Sequence, residues 1–244
     1  MTLATVVAVL LTAALGVWQL GRAHTKREWL AVQAQQAALP PLDWAGVADA
    51  AARGALPAMA GRAVRLRGRW VGEATVFLDN RPMNGRAGFV VVTPLQPEAG
   101  GPALLVQRGW VARRVDDRQA LPALATPTGV VEVEGRLAPP PSRLLAFGPD
   151  TPGPIRQNID VQAFAAEWRL TLWPASVQQT APPERTVEGV ALLRDWTAVA
   201  VDPAKHVGYA VQWFALAALL LGLYVWFQFL SPRRRARAGT ADVP

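Results

Sequence analysis

Two histidines are the candidates for chemistry in this chain of 244 residues, which contains no cysteine. One of them, His206, is followed at three and seven positions by Tyr209 and Trp213, so that all three share one face of a predicted helix. An imidazole beside two aromatic rings, in a medium of low polarity, is a candidate ligand for haem iron, with the rings packing against the porphyrin. Histidine, tyrosine and tryptophan also favour membrane interfaces, because each has an apolar body and a polar edge, and spacing alone leaves this alternative open.

Enzyme chemistry has little support in the sequence. There is no phosphate-binding loop, nucleophile elbow or paired-histidine metal motif, and the absence of cysteine excludes thiolate nucleophiles and disulfides. The acidic pairs Asp116-Asp117 and Glu132/Glu134 fit solvated loop and outward strand positions better than acid/base roles. We therefore predict that the protein is not an enzyme, since a membrane-bound hydrolase or transferase would need a nucleophile and a base.

Two long uncharged stretches predict membrane-spanning helices. Asp, Glu, Lys and Arg are absent from residues 1–20 and 206–230, and about 20 apolar residues in helical form cross a bilayer core. We predict transmembrane helices at residues 1–21 and 206–230. The first is interpreted as a retained anchor rather than a secretory signal, because it lacks a basic n-region and a good cleavage site before Trp18. A true start further upstream is the alternative explanation for the missing basic residues.

The basic tail predicts how these helices are oriented. The stretch "SPRRRAR" places four arginines directly after the second span, and the positive-inside tendency puts such residues in the cytoplasm. Two spans return both termini to that side, so residues 22–205 form a domain in the periplasm of a bacterium or in its mitochondrial equivalent. We predict a multi-pass protein of the bacterial inner membrane, with a cytoplasmic tail at residues 231–244 that also meets anionic lipid. The net charge of +7 is too small to indicate nucleic acid as a partner.

Apolar periodicity predicts a mostly antiparallel β domain between the spans. The first helix should continue outward and stop at the two prolines that follow Leu39, because proline cannot extend a helix. Short apolar strands alternate with turn sequences, and Asn84-Gly85 suits a tight turn between two of them. Asp160 is placed to cap one amphipathic helix, and Pro174 assigns the last strand to an edge or a bulge. These elements predict an α+β domain built as a barrel or a sandwich.

Further polar residues lie near the predicted outer ends of the two spans. His24 follows the first span on the same side as His206, so a bis-histidine site is geometrically conceivable, but an exposed interfacial histidine is the preferred interpretation. Gln19 and Gln212 are expected to pair between the helices rather than to bind a ligand. The roles of all four residues depend on which helix faces meet.

Six short motifs follow one another along the chain. They are "GVWQLGRAHTK" (16–26), "GRAVRLRG" (61–68), "GFVVVTPL" (88–95), "LVQRGWV" (105–111), "VEGRL" (133–137) and "HVGYAVQWF" (206–214). In this order, and flanked by two spans, they resemble the surfeit locus protein 1 family over nearly the whole chain. The resemblance implies an assembly factor for haem-copper cytochrome c oxidase that binds haem a transiently and assists its insertion into the catalytic subunit. The partners it implies are that subunit, a haem a synthesis enzyme and the lipid membrane.

The resemblance also implies site residues. The histidine of the family's H-x-x-Y-x-x-x-W pattern falls on His206, which is the expected ligand of the haem iron, with Tyr209 and Trp213 as packing groups. Arg22 and Lys26 match the basic positions after the first span, where they are inferred to pair with the haem propionates.

Two features depart from this assignment or leave it open. Thr25 replaces an aromatic residue often seen in the family, and His24 matches no motif position. Arg108, Gly109 and Trp110 match the family's "RGW", for which a structural role is expected and a contact with the oxidase subunit is the alternative. For the protein as a whole, the alternative function is a haem-independent membrane scaffold that holds the nascent oxidase subunit.

Overall fold

The computed structural model describes residues 2–114, 117, 120–142, 144, 153–196 and 202–231. The chain divides into two compact units, one formed by residues 1–31 with 198–244 and the other by residues 32–197. We call them the helix unit and the barrel unit. Asp116 and the arginines of the predicted cytoplasmic tail lie outside the described residues.

The helix unit contains the two predicted membrane helices. Helix α1 comprises Thr2–Ala37, of which residues 2–31 belong to this unit, and α4 comprises Pro203–Val225 with a π-helical turn at Trp226–Leu230. Their most apolar windows have mean hydropathies of 2.0 and 1.9, so both are long and apolar enough to cross a bilayer, and the chain is a membrane protein. The continuation of the first helix as far as the prolines after Leu39 is confirmed.

The two helices of this unit run antiparallel. Polar pairs join them at both ends, Gln19 with His206 and Thr2 with Tyr224, whose hydroxyl donates to the Thr2 hydroxyl at 3.1 Å. Along α1 these pairs are about 26 Å apart at a rise of 1.5 Å per residue, close to the 30 Å thickness of a hydrocarbon core. The apolar stretch between the two polar pairs is thus about as long as a hydrocarbon core is thick. Between these pairs the buried residues are small, Thr12 and Gly16 on α1 and Ala210 and Ala217 on α4, and Ala23, one turn beyond Gln19, is small and buried as well.

The barrel unit is a closed five-stranded barrel. The strands pair in the order β1-β5-β7-β4-β3, and β3 pairs back to β1 to close it, while β2 and β6 extend the sheet from β3. The β4–β7 and β2–β6 pairs are parallel and the others antiparallel, so the mostly antiparallel α+β prediction is confirmed, as a barrel rather than a sandwich. The strands are β1 Ala63–Trp70, β2 Val76–Leu78, β3 Gly88–Pro97, β4 Ala103–Ala112, β5 Val130–Ala138, β6 Ile155–Arg156 and β7 Leu172–Ala181.

Strand patterning shows where the cores of this unit lie. In β1 the buried side chains of Val64 and Leu66 alternate with exposed arginines, as expected of a strand with one solvated face. Strand β4 is buried on both faces because its alternate residues join different cores. Leu104 packs with β1 and with helix α2 (Trp44–Ala52), and Leu105 packs with helix α3 (Val161–Trp168).

Glycines permit close approaches between the barrel strands. A Cβ at Gly68 of β1 would lie 2.3 Å from the carbonyl oxygen of Gln96, and one at Gly135 of β5 would lie 2.5 Å from that of Gln178. Neither neighbour is a movable side chain, so a residue with a side chain at either position would force the strands apart. The tight curvature of a five-stranded barrel therefore depends on these glycines.

Most of the predicted local signals are confirmed. Asn84 and Gly85 have φ values of 50° and 74°, as the predicted tight turn requires, and Met83 and Arg86 exchange both backbone hydrogen bonds around it. Asp160 caps α3 by accepting two backbone N–H groups at 3.0 Å each.

The prediction that Pro174 places the last strand at an edge or a bulge is confirmed in its second form. Pro174 does not mark a sheet edge, because β7 lies between β5 and β4 in the interior of the barrel sheet. It lies at a bulge instead. Ala103 of β4 pairs with Leu172 of β7, and the next pair is Leu105 with Ser176, so β4 advances by two residues while β7 advances by four. The extra residues in β7 leave room for a proline that donates no hydrogen bond.

Candidate functional site

His206 lies in the first turn of α4 and is held by a residue of α1. Asp202 caps this helix by accepting the backbone N–H of Ala204 at 2.9 Å, and Pro203 is its first residue. The Nδ1 atom of His206 is 2.6 Å from Oε1 of Gln19. The prediction that Gln19 pairs between the helices is therefore confirmed. For Gln212, which is exposed, no such pairing is seen among the described residues.

The two predicted basic residues lie on the side of α1 that faces His206. From Gln19, Lys26 is about 20° and Arg22 about 60° around the helix axis at 100° per residue. Both cations therefore lie on the face of α1 that carries Gln19, the residue in contact with His206. The guanidinium of Arg22 also lies 5.8 Å from the centre of the Trp18 ring. The structure thus brings together an imidazole and two cations from opposite ends of the chain.

The two predicted aromatic residues lie on the same side of α4 as His206. By the same helical geometry Tyr209 and Trp213 are within about 60° of it around the axis. Tyr209 is 52% exposed and Trp213 is half-buried, so the described residues cover neither ring completely. A flat apolar ligand therefore has a surface to pack against on this face of α4.

His24 is not brought to this site. It lies about 140° around α1 from Gln19, and its Nε2 atom is 3.2 Å from Oε1 of Glu28 on the next turn of the same helix. Their side chains are 72% and 64% exposed, so the pair contributes little to stability. This position is that of an exposed histidine and does not bring two imidazoles to one iron.

The donor set of the helix unit fits haem better than a bare metal ion. Within the described residues no three His, Cys, Asp or Glu side chains are grouped so that they could hold a metal ion. A zinc site takes three or four protein ligands, whereas haem iron already has four porphyrin nitrogens and takes an imidazole as an axial ligand. One histidine flanked by aromatic rings and two cations matches the iron, the ring and the propionates of a haem.

The "RGW" motif in the barrel unit has a structural environment. Arg108 and Trp110 are each 2% exposed, and the Trp110 indole N–H donates to the carbonyl oxygen of Arg81 at 2.6 Å. A Cβ at Gly109 would lie 2.6 Å from Cβ of Leu192. This burial supports the structural interpretation over a contact surface for the oxidase subunit.

Sequence reasoning missed the acidic partner of this motif. Glu184 accepts a hydrogen bond from Nε of Arg108 at 2.9 Å and another from the side-chain amide of Gln179 at 3.2 Å. Its Oε2 atom is also 3.8 Å from Arg194. Glu184 follows a proline pair in an apparent loop, and 76 positions separate it from Arg108, so no local signal marked it.

Close approach of the two membrane helices is expected to depend on Gly16. A Cβ there would lie 2.8 Å from the Phe214 ring, whereas one at Gly21 would meet no atom of the described residues within 4 Å. Gly16→Leu should widen the helix separation by about 2 Å, since packed helix axes lie roughly 8–10 Å apart depending on the side chains between them. The cysteine-free chain allows spin labels at Leu20→Cys and Lys205→Cys, whose distance can be measured by pulsed electron paramagnetic resonance.

Gly21→Leu is the matched control for this experiment, because it adds the same side chain to the same helix without a neighbour to displace. The label distance should stay at the wild-type value in that variant. An equal distance in the Gly16→Leu variant would show that Phe214 yields without moving the helices.

Two membrane-spanning helices flanking a closed five-stranded barrel, with one imidazole held between the helices, define a membrane-anchored barrel protein. The chain belongs to the SURF1 family, whose model matches residues 6–218. A SURF1-like protein of Monosiga brevicollis is 27% identical to it over 246 aligned positions, which cover 96% of this chain and 88% of that protein. Membership gives the chain a general role in cytochrome oxidase assembly, and the family is one of assembly factors rather than catalytic enzymes.

Proposed function

We propose that this assembly factor binds haem a at the outer surface of the membrane and assists its insertion into the catalytic subunit of haem-copper cytochrome c oxidase. His206 is the axial ligand, and Tyr209 and Trp213 pack against the macrocycle. Arg22 and Lys26 pair with the propionates. Binding is transient, with a haem a synthesis enzyme as donor and the catalytic subunit as acceptor.

The observation that carries this proposal is the convergence of α1 and α4 at His206. The residues that could serve a haem belong to two helices from opposite ends of the chain, and Lys26 and Arg22 lie on the face of α1 that carries Gln19, which contacts His206. The pair of Gln19 and His206 lies near one boundary of the hydrocarbon core. The candidate residues thus include an apolar set and a cationic set, and haem likewise has an apolar ring and two anionic groups at one edge.

The orientation of the chain in the membrane is part of the proposal. We place the barrel unit in the periplasm and both termini in the cytoplasm of a bacterial cell, because the four arginines of residues 231–244 follow the second span directly. His206 and Gln19 lie at the ends of the spans that lead to the barrel unit. The haem is therefore held at the periplasmic face of the inner membrane.

The visible absorption spectrum of the full chain tests this function. The wild-type protein is purified in detergent from cells that co-express the haem a synthesis enzymes, and in parallel from cells that make only haem b. A haem a spectrum is expected in the first preparation, and the ratio of haem to protein in the two preparations measures the preference for haem a.

The same preparation distinguishes the alternative function. A haem-independent scaffold would be colourless when purified from haem-replete cells while still co-purifying with the oxidase catalytic subunit. That combination would overturn haem binding and leave the general role in oxidase assembly unchanged.

A further inference from the structure

The hydrogen bond between His206 and Gln19 determines which nitrogen of the imidazole can bind a metal. The contact joins Nδ1 of His206 to Oε1 of Gln19 at 2.6 Å. An amide oxygen only accepts hydrogen bonds, so this contact is the one made by the tautomer whose Nδ1 carries the proton. In a neutral imidazole with a protonated Nδ1, the lone pair is on Nε2.

We propose that Gln19 is the positioning residue of the haem site, and that it holds His206 in the Nδ1–H tautomer with Nε2 presented to the iron. Metal-binding histidines generally donate their second ring N–H to a protein acceptor, which fixes the ring orientation and raises the basicity of the ligating nitrogen. The proposal rests on the proposed function for the identity of the metal. The tautomer itself depends only on the contact between the two helices.

The position of the pair makes this contact effective. Both side chains are half-buried, so the protein shields part of their contact from competing water. Gln19 comes from α1 and His206 from α4, so the ring is oriented by a helix other than its own. Any change that separates the helices therefore also removes the hydrogen bond that fixes the tautomer.

Nitrogen-15 magnetic resonance of the full chain in detergent micelles tests the tautomer without haem. The chain has two histidines, so a His24→Gln background leaves His206 as the only labelled imidazole. At about pH 8, above the usual histidine pKa of about 6.5, the ring is neutral. We expect the Nδ1 resonance of a protonated nitrogen and the Nε2 resonance of an unprotonated one.

Variants of Gln19 show whether the hydrogen bond is the cause. Gln19→Leu removes the acceptor, and the ring should revert to a tautomer mixture in which Nε2 carries the proton more often. Gln19→Glu keeps an acceptor and should preserve the Nδ1–H tautomer. The matched control is Gln212→Leu, which removes an exposed glutamine from the other span and should leave both ring resonances unchanged.

Haem titration of the same variants provides a second readout. Loss of an outer partner of a metal-binding histidine lowers metal affinity by about 10–100-fold, so the Kd for haem a should rise by that factor in Gln19→Leu. Gln19→Glu should retain affinity and shift the reduction potential to lower values, because a carboxylate makes the imidazole a stronger donor.

The outcomes separate this inference from the proposed function. A protonated Nε2 in the wild type would overturn it, because Gln19 would then be donating its amide N–H to Nδ1. An unchanged Kd in Gln19→Leu would also overturn it. An Nδ1–H tautomer that depends on Gln19, in a chain that takes up no haem, would support Gln19 as the positioning residue and overturn haem binding instead.

Discussion

Replacing Arg108 with methionine is expected to lower the free energy of unfolding of the barrel unit by about 3–5 kcal/mol. The guanidinium is 2% exposed and lies 4.9 Å from the centre of the Trp70 ring. It donates to Glu184 at 2.9 Å and to the Thr126 hydroxyl at 2.8 Å. Methionine fills much of the same volume but leaves the Glu184 carboxylate without its main cationic partner in a largely buried position.

The loss should be large because the two charges stabilise each other where water is excluded. Removing one member of a buried ion pair leaves the desolvation cost of the other uncompensated, which exceeds the loss of the pair itself. The double variant with Arg108→Met and Glu184→Gln should therefore be less destabilised than the sum of the two single changes. We expect the interaction energy in this cycle to be about 0.5–3 kcal/mol.

Urea denaturation of the full chain in detergent, followed by near-ultraviolet circular dichroism, measures these differences. The control is Arg65→Met, which breaks an ion pair of similar length, 2.8 Å to Glu134, between side chains that are 60% and 40% exposed. Arg65→Met should lower the free energy of unfolding by about 1 kcal/mol or less. Equal losses in the Arg108 and Arg65 variants would contradict a structural role for the buried pair, and the "RGW" motif would then need a functional explanation.

Local signals in the sequence predicted most of the elements of this fold. Asn84-Gly85, the cap at Asp160 and the prolines after Leu39 each act within a few residues of the element that they define, and all three match the structure. The position of β7 in the sheet could not be predicted from such local signals. Pro174 disfavours a central strand, but the bulge that accommodates it depends on pairing with β4, some 70 positions earlier in the chain.

The residues of the candidate site could be predicted from the sequence, but their arrangement in space could not. Helical spacing places Tyr209 and Trp213 beside His206, because the three residues belong to one helix. Spacing gives no information on which face of α1 meets α4, so the expected pairing of Gln19 between the helices and the exposed position favoured for His24 could not be decided from the sequence. The contact that decides the arrangement joins residues 187 positions apart, and it depends on small residues such as Gly16 that let the helices approach.

Replacing His206 with alanine is expected to abolish stable haem a binding while leaving the chain folded and inserted. Loss of even an outer partner of a metal ligand costs about tenfold or more in affinity, so loss of the ligand itself should reduce the haem content of the purified protein by at least that factor. The imidazole is half-buried in the first turn of α4, where alanine is a good helix former and the cap from Asp202 is retained. The spectrum and the helical circular dichroism of the purified protein measure both parts of the expectation.

His24→Ala is the matched control, because it removes the other histidine from an exposed position on α1 and should leave the haem content unchanged.

Added imidazole gives the sharper test in a His206→Gly variant, in which the side chain is absent and a free imidazole has room to bind the iron. If His206 is the ligand, that variant should be pale without imidazole and regain a haem a spectrum as imidazole is added. If the histidine only anchors α4 at the interface, free imidazole cannot replace it, and haem content would be the same in His206→Ala as in the wild type. Recovery by a small molecule would therefore assign the iron bond to this side chain, since a general loss of structure would not respond to imidazole.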